Sequence, residues 1–211
     1  MKKNSEAESD DSFNSYDAMA SEYAKWPVEI ARAAWMKELV ANHKGWIGFD
    51  QMGSAIKALD YCAGTGFFSQ ALAPHVHTIL GVDSALNMMI EYNKIAEQTE
   101  DEHPNCEMRA MWGDLIQGQE PVDEVWASDV EFDLIAMSLA INFFACPCCG
   151  IPGLQNALRT MTSRFNHNGT HLILDIQKDD ATTHETEESD ARIQTLRNGK
   201  KITGCGRGRR D

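Results

Sequence analysis

The chain has no uninterrupted apolar run near the ~20 residues that cross a bilayer, so no membrane-spanning helix is expected. Its opening residues, Met1 to Asp11, are polar and acidic. They lack the apolar centre of a signal peptide and the arginines of a transit peptide, which makes a cytoplasmic location the expectation. Basic residues are scarce: 19 Lys and Arg face 32 Asp and Glu, a net charge of −13. Six of those basic groups and one acid sit in residues 197–211, leaving 13 basic and 31 acidic residues, a net of −18, in the rest. A body that acidic repels phosphate backbones, so nucleic acid is not an expected partner. The six cysteines, at 62, 106, 146, 148, 149 and 205, do not follow the spacing of a small disulfide scaffold, and reduced thiols are expected. The run Cys146-Pro147-Cys148-Cys149-Gly150 has no second ligand pair nearby in sequence, so no metal site is expected there.

What the chain does have is an ordinary globular composition, 43% hydrophobic and 24% charged over 211 residues, enough for one domain with a substantial core. Its most informative run is Ala58-Leu59-Asp60-Tyr61-Cys62-Ala63-Gly64-Thr65-Gly66-Phe67-Phe68. An apolar strand ends in an acid, and a glycine turn then opens a helix. Such a turn lets backbone amides approach a ligand closely. A second apolar strand, Thr78 to Asp83, also ends in an acid, where a carboxylate can accept both hydroxyls of a ribose. Together they suggest a nucleoside-bearing cofactor at the C-terminal edge of a parallel sheet.

The rest of the chain alternates in the same way. A helix is expected over Ser12–Lys25, and another from Pro27 to about residue 43, with Ile30, Ala31, Ala34, Trp35 and Leu39 as its apolar stripe and Gly45 as its stop. Strand one covers Ala55–Tyr61, and the helix after it Gly66–Ala73, ended by Pro74. Ser84 is placed to cap a helix over 84–98, which Met88, Met89 and Tyr92 would anchor, and 99–105 reads as a loop. Cys106–Trp112 reads as strand three, followed by Gly113-Asp114-Leu115 and an acidic loop over 116–131. Phe132–Ile141 is strand four, an almost continuous apolar run suited to burial on both faces. Leu154, Ala157, Leu158, Met161 and Phe165 mark a helix, Asn166–Gly169 a turn and Thr170–Gln177 strand five.

The expected fold is α/β, a Rossmann-like, doubly wound and mostly parallel sheet of five strands. Residues 1–12 read as a disordered acidic leader, 13–178 as the domain, and 179–211 as a polar, then basic tail expected to be poorly ordered. With only Ile193, Leu196 and Ile202 as large aliphatics after residue 177, no further buried strands are expected.

Laid out in this order, the chain resembles the class I S-adenosylmethionine-dependent methyltransferases, over roughly residues 13–178 and most nearly the small-molecule, ubiquinone-biosynthesis type. That family's first motif is an acid followed by three glycines at alternate positions. Asp60, Gly64 and Gly66 fill three of the four places and Cys62 stands in the first glycine place. The resemblance implies that Asp60 orients the methionine end of the cofactor, Asp83 its ribose and Asp114 its adenine. It further implies cofactor contacts from Tyr23, Ala63, Gly64, Gly66, Ser84, Met88, Gly113, Leu115 and Ser138, with Tyr16 and Tyr23 as covering aromatics. Leu139 to Phe143 would line the methyl-donor end, and Asn142-Phe143-Phe144 stands where relatives often carry histidines, so no catalytic residue is assigned.

The implied activity is methyl transfer to a small-molecule acceptor. Each acid also has a purely local use, Asp60 and Asp83 as helix caps and Asp114 as a turn residue. A binding module without turnover is the alternative reading. A nicotinamide-dependent oxidoreductase is a third, disfavoured because Ser69 occupies its third glycine place and because a carboxylate at position 60 would sit beside a pyrophosphate. The family continues past strand five into a helix and an antiparallel strand pair, which this chain is expected to lack. It therefore reads as C-terminally truncated, with a strand-five edge open to self-association.

Overall fold

The structure is a computed structural model, which describes residues 11–127, 129–140, 150–177, 190–197 and 200–205. Its centre is one sheet of seven strands: β1 (Lys57–Tyr61), β2 (Thr78–Asp83), β3 (Glu107–Trp112), β4 (Phe132–Ser138), β5 (Phe165–Gln177), β6 (Asp190–Arg197) and β7 (Lys200–Cys205). The spatial order is β3-β2-β1-β4-β5-β6-β7. The first five strands are parallel, and β6 and β7 add antiparallel. The helices are α1 (Asp11–Tyr23), α2 (Pro27–Ile47), α3 (Phe67–Leu72), α4 (Leu86–Glu102) and α5 (Gly150–Ser163).

The parallel strands are apolar on both faces, and their side-chain alternation divides the core in two. Ala58, Ile79, Leu134, Ala136, Leu172 and Leu174 face one way. They pack with Met36 and Val40 of α2, Phe68 and Leu72 of α3, and Tyr92 and Ala96 of α4. Leu59, Tyr61, Leu80, Val82, Ile135 and Met137 face the other way, onto Ala157 and Met161 of α5 and onto Leu115 and Trp126. The chain direction reverses its winding at β1, between β2 and β4, where an open α/β sheet leaves a crevice at its C-terminal edge.

The doubly wound parallel sheet is as expected, and strand two falls on Thr78–Asp83 as read from the sequence. The expected absence of a C-terminal strand pair is corrected. β6 pairs with β5 along eight residues, Thr170–Gln177 against Asp190–Arg197, and β7 pairs with β6. Backbone pairing at a sheet margin does not require the aliphatic content of a doubly buried strand, which is why three large aliphatics suffice. Because β6 occupies the outer side of β5, the open strand-five edge expected from the sequence does not exist, and self-association through it loses its basis.

Several boundaries moved for local reasons. α2 runs through Gly45 to Ile47 and stops at Gly48, whose φ of 90° gives the left-handed ending that helices favour. Its buried face is Glu29, Ala33, Met36, Val40 and Ile47, one position away from the expected stripe, and Ile30 is 56% exposed. α4 starts at Leu86 with Ala85, not Ser84, at its N-cap, and runs on through the expected 99–105 loop to Glu102. The Asn166–Gly169 turn signal lies inside β5. There the pairing with β4 slips, Phe132 opposing Phe165 while Leu134 opposes Thr170. Residues 1–10, the Cys146–Cys149 cluster and residues 206–211 lie outside the described residues. Among the described residues no helix is long and apolar enough to cross a membrane.

Candidate functional site

A cavity opens at the C-terminal edge of the sheet, where β1, β2 and β4 end. Two strand spacings separate the tips of β2 and β4, about 10 Å. Seven of the residues assigned from the sequence line it: Tyr23, Ala63, Gly64, Asp83, Ser84, Met88 and Ser138. Tyr16, the second covering aromatic, also lines it, and so does Leu139.

The β2 side is built by backbone turns. The chain leaves β1 through Cys62 at φ 58° and Gly64 at φ 52°. The Gly64 N–H donates to Asp83 Oδ2 at 2.8 Å, and the Ala85 N–H donates to Asp83 Oδ1 at 2.9 Å. A carboxylate fixed by one backbone donor on each oxygen keeps further lone pairs for hydroxyl groups. Burial pushes the Asp83 carboxyl above its usual range, opposed by the backbone bonds from Ala85, Gly64 and Ser84. The space before Gly64 is open: a Cβ there would meet nothing within 4 Å. Turn and carboxylate together form a cradle that fits the hydroxyls of a nucleoside.

Five assigned residues are not on the cavity wall. Asp60 is 0% exposed and faces the other way. It shares the strand alternation of Ala58, so its side chain enters the α3–α4 side of the core. There Ser69 Oγ donates to Asp60 Oδ2 at 2.7 Å and Tyr92 donates to Ser69 Oγ at 2.8 Å. Asp60 Oδ1 has no hydrogen-bond partner among the described residues. Burial raises the Asp60 carboxyl to about 7, although the Ser69 bond lowers it. The expectation that Asp60 presents a charge to the methionine end of a cofactor is therefore corrected. With it goes the argument that this carboxylate excludes a pyrophosphate.

Gly66 is also internal. Its φ of 88° starts α3, and a Cβ there would come within 2.7 Å of the Tyr92 ring. Gly113 packs against Pro121 and donates its N–H to the Asp83 carbonyl. Asp114 folds its own turn, accepting the N–H groups of Ile116 and Gln117 on Oδ1, both at 3.1 Å. Leu115 is 0% exposed in the α5-side core, and its neighbour Ile116 takes the place on the wall. Short polar side chains and glycines served the fold at these positions, and only the three-dimensional path separates the two uses.

The opposite side of the cavity was not legible in the motifs. Glu29 and Met36 come from α2, Phe67 and Phe68 from α3, and Leu139 and Ala140 from the segment after β4. Glu29 is 3% exposed. Its Oε1 accepts a hydrogen bond from Arg32 Nη1, and Tyr23 stands beside it. Burial first, then the Glu29 charge and a bond to Glu29, push the Tyr23 phenol well above its usual range. Tyr16, Tyr23 and Trp26 form an aromatic series leading outward, with ring centroids 6.0 and 5.4 Å apart. The signal for Glu29 was its place one turn before Ala33 and two turns before Met36, which sequence hydropathy hides because a carboxylate is not counted as apolar. Residues 141–149, which include Asn142, Phe143 and Phe144, lie outside the described residues.

This sheet and its winding define a Rossmann-like α/β fold, with a cavity at the reversal point. The chain has the fold of the class I S-adenosylmethionine-dependent methyltransferases. Solved structures that share it include DhpI in complex with SAM and HEP, at 18% identity and a TM-score of 0.55 over 80% of this chain and 66% of that one. They also include the N-methyltransferase NodS of Bradyrhizobium japonicum in complex with S-adenosyl-L-homocysteine, at 16% identity and a TM-score of 0.53 over 78% and 73%. A curated relative is an uncharacterized methyltransferase of Schizosaccharomyces pombe, 28% identical over 133 residues. The match covers 62% of this chain and 42% of that relative, so the chain spans less than half of the relative's length. No family model matches the chain.

Proposed function

We propose that the chain binds S-adenosylmethionine and transfers its methyl group to a small-molecule acceptor. The observation that carries this reading is Asp83, a carboxylate at the tip of β2 held by the Gly64 and Ala85 N–H groups on the wall of an open cavity. Asp83 would hold the ribose hydroxyls, and the Gly64 turn, Ser84 and Met88 would enclose the nucleoside. Ser138 at the tip of β4 would flank the other end, where Cys62 narrows the turn between. Bound there, the sulfonium supplies a methyl carbon already activated for displacement. The protein's own work is to align the acceptor and exclude water. Tyr16 and Tyr23 of α1 cover the cavity, held by packing of Ala20 on Ala85 and Met88 and by Asp17 Oδ1, which accepts the Asn87 N–H at 2.7 Å.

The likeness to SAM- and SAH-bound methyltransferases supports the cofactor, and the curated methyltransferase relative supports the reaction. The test is calorimetric titration with S-adenosylhomocysteine and, separately, with NAD, followed by incubation with labelled S-adenosylmethionine and a panel of acceptors. The reading expects saturable binding of the homocysteine compound alone, with label transferred. Binding without transfer to any acceptor favours a module without turnover, and binding of NAD alone overturns the reading.

A further inference from the structure

The α2 side of the cavity carries a charge pattern that the nucleoside does not account for. Among the described residues that line the cavity there is no lysine, arginine or histidine, while Glu29 and Asp83 contribute two carboxylates. Asp83 is held in place by its two backbone donors and lies on the cofactor side. Glu29 is different. It lies in the first turn of α2, where a glutamate ordinarily reaches into water, yet its side chain is only 4% exposed. Burying an ionised carboxylate is costly unless partners offset it. Arg32 offsets this one from outside the cavity, with a side chain 37% exposed and no place on the wall. Tyr23 is hydrogen-bonded to the carboxylate, and Tyr16, Met36, Phe67 and Phe68 line the same cavity. An anionic acceptor would meet carboxylate and aromatic faces with no counter-cation. A nitrogen carrying N–H bonds meets an acceptor oxygen and ring faces that attract positive charge.

We propose that Glu29 and the Tyr16–Tyr23 wall form a subsite for an apolar amine, which is the methyl acceptor. The proposal rests on the methyl-transfer reading for the acceptor's role, and on the cavity alone for its binding. The acceptor nitrogen's lone pair forms the new N–C bond, and the methyl's C–S bond breaks with its electron pair going to sulfur. One N–H proton of the bound ammonium passes to the Glu29 carboxylate before the attack, which frees that lone pair, and goes from there to water. Atoms and charge balance with no further reactant.

The experiment uses three probes of one shape: 2-phenylethylamine, 2-phenylethanol and phenylacetate. Each is titrated calorimetrically into the free protein and into the protein saturated with S-adenosylhomocysteine. The amine is expected to bind at least about tenfold more tightly than the carboxylate, with the alcohol between them. Glu29→Gln is expected to lose about tenfold in amine affinity, with S-adenosylhomocysteine affinity unchanged. Arg32→Gln is expected to act in the opposite direction, raising amine affinity by up to about fivefold because it frees the carboxylate. That rise keeps the test decisive if Glu29→Gln fails to fold. Equal affinity for amine and carboxylate, or a fall in amine affinity in Arg32→Gln, overturns the proposal. Failure of S-adenosylhomocysteine to bind refutes the cofactor reading instead, and the order of the three probes on the free protein still decides the subsite.

Discussion

The two sides of the cavity are made in different ways. The β2 side comes from two neighbouring strand ends, Cys62 to Gly64 and Asp83 to Met88, joined by hydrogen bonds between their turns. The α2 side draws Glu29, Met36, Phe67, Phe68, Leu139 and Ala140 from three separate parts of the chain. On the proposed reading, the cofactor is gripped by backbone geometry that short motifs encode. The proposed acceptor is met by side chains whose meeting depends on the whole fold.

The largest expected effect falls beneath the β2 side. Gly66→Ala places a Cβ 2.7 Å from the Tyr92 ring at a φ of 88°, and should cost about 3 kcal/mol or more in urea unfolding. Next is Asp83→Ala, which leaves the Gly64 and Ala85 donors without their acceptor and removes the carboxylate proposed to hold the ribose hydroxyls. S-adenosylhomocysteine affinity should fall about 100-fold by calorimetry.

Asp60→Asn should act on stability through pH. The Asp60 carboxyl is raised to about 7 in the folded chain against an ordinary 3.8, so the folded state holds the extra proton between those pH values. Wild-type stability from this group is therefore greatest below about pH 4, falls as pH rises towards 7, and levels off above it. Asparagine removes that slope. Its amide nitrogen, set where Oδ1 lacks a partner, trims the gain at pH 8 to about 2 kcal/mol, measurable by urea unfolding at pH 4 and pH 8. Unchanged pH slopes would mean that Asp60 is not isolated from water as described.

Gly64→Ala sharpens the contrast with Gly66. Its Cβ meets nothing within 4 Å, so only its φ of 52° costs stability, about 1 kcal/mol. The added methyl should nevertheless weaken S-adenosylhomocysteine binding, because it enters the cavity. The smallest effect belongs to the other wall: Glu29→Gln should leave S-adenosylhomocysteine affinity within about twofold, since the Glu29 carboxylate bonds to Arg32 and Tyr23.

The sequence carried the β2 side well. The apolar runs of β1, β2 and β4 fall where the strands are, and Gly64, Asp83, Ser84 and Met88 reach the wall through turns only a few residues long. Asp60 and Asp83 look alike in sequence, each closing an apolar strand. Alternation from Ala58 was the available signal that Asp60 turns into the core, whereas Asp83 stands at a tip where the sheet ends. Glu29 was hidden because hydropathy reads a carboxylate as an outward group, and the apolar stripe of α2 was accordingly drawn one position off. β6 and β7 were hidden because their pairing is a backbone property at the sheet margin, carried by a polar stretch.

The most direct measurement is a crystal structure of the protein soaked with S-adenosylhomocysteine. The account predicts ribose hydroxyls within hydrogen-bond distance of both Asp83 oxygens, and the thioether sulfur on the Ser138–Ala140 side of Gly64. A nucleoside seated away from Asp83, or a dinucleotide pyrophosphate lying against the Gly64 turn, would contradict it.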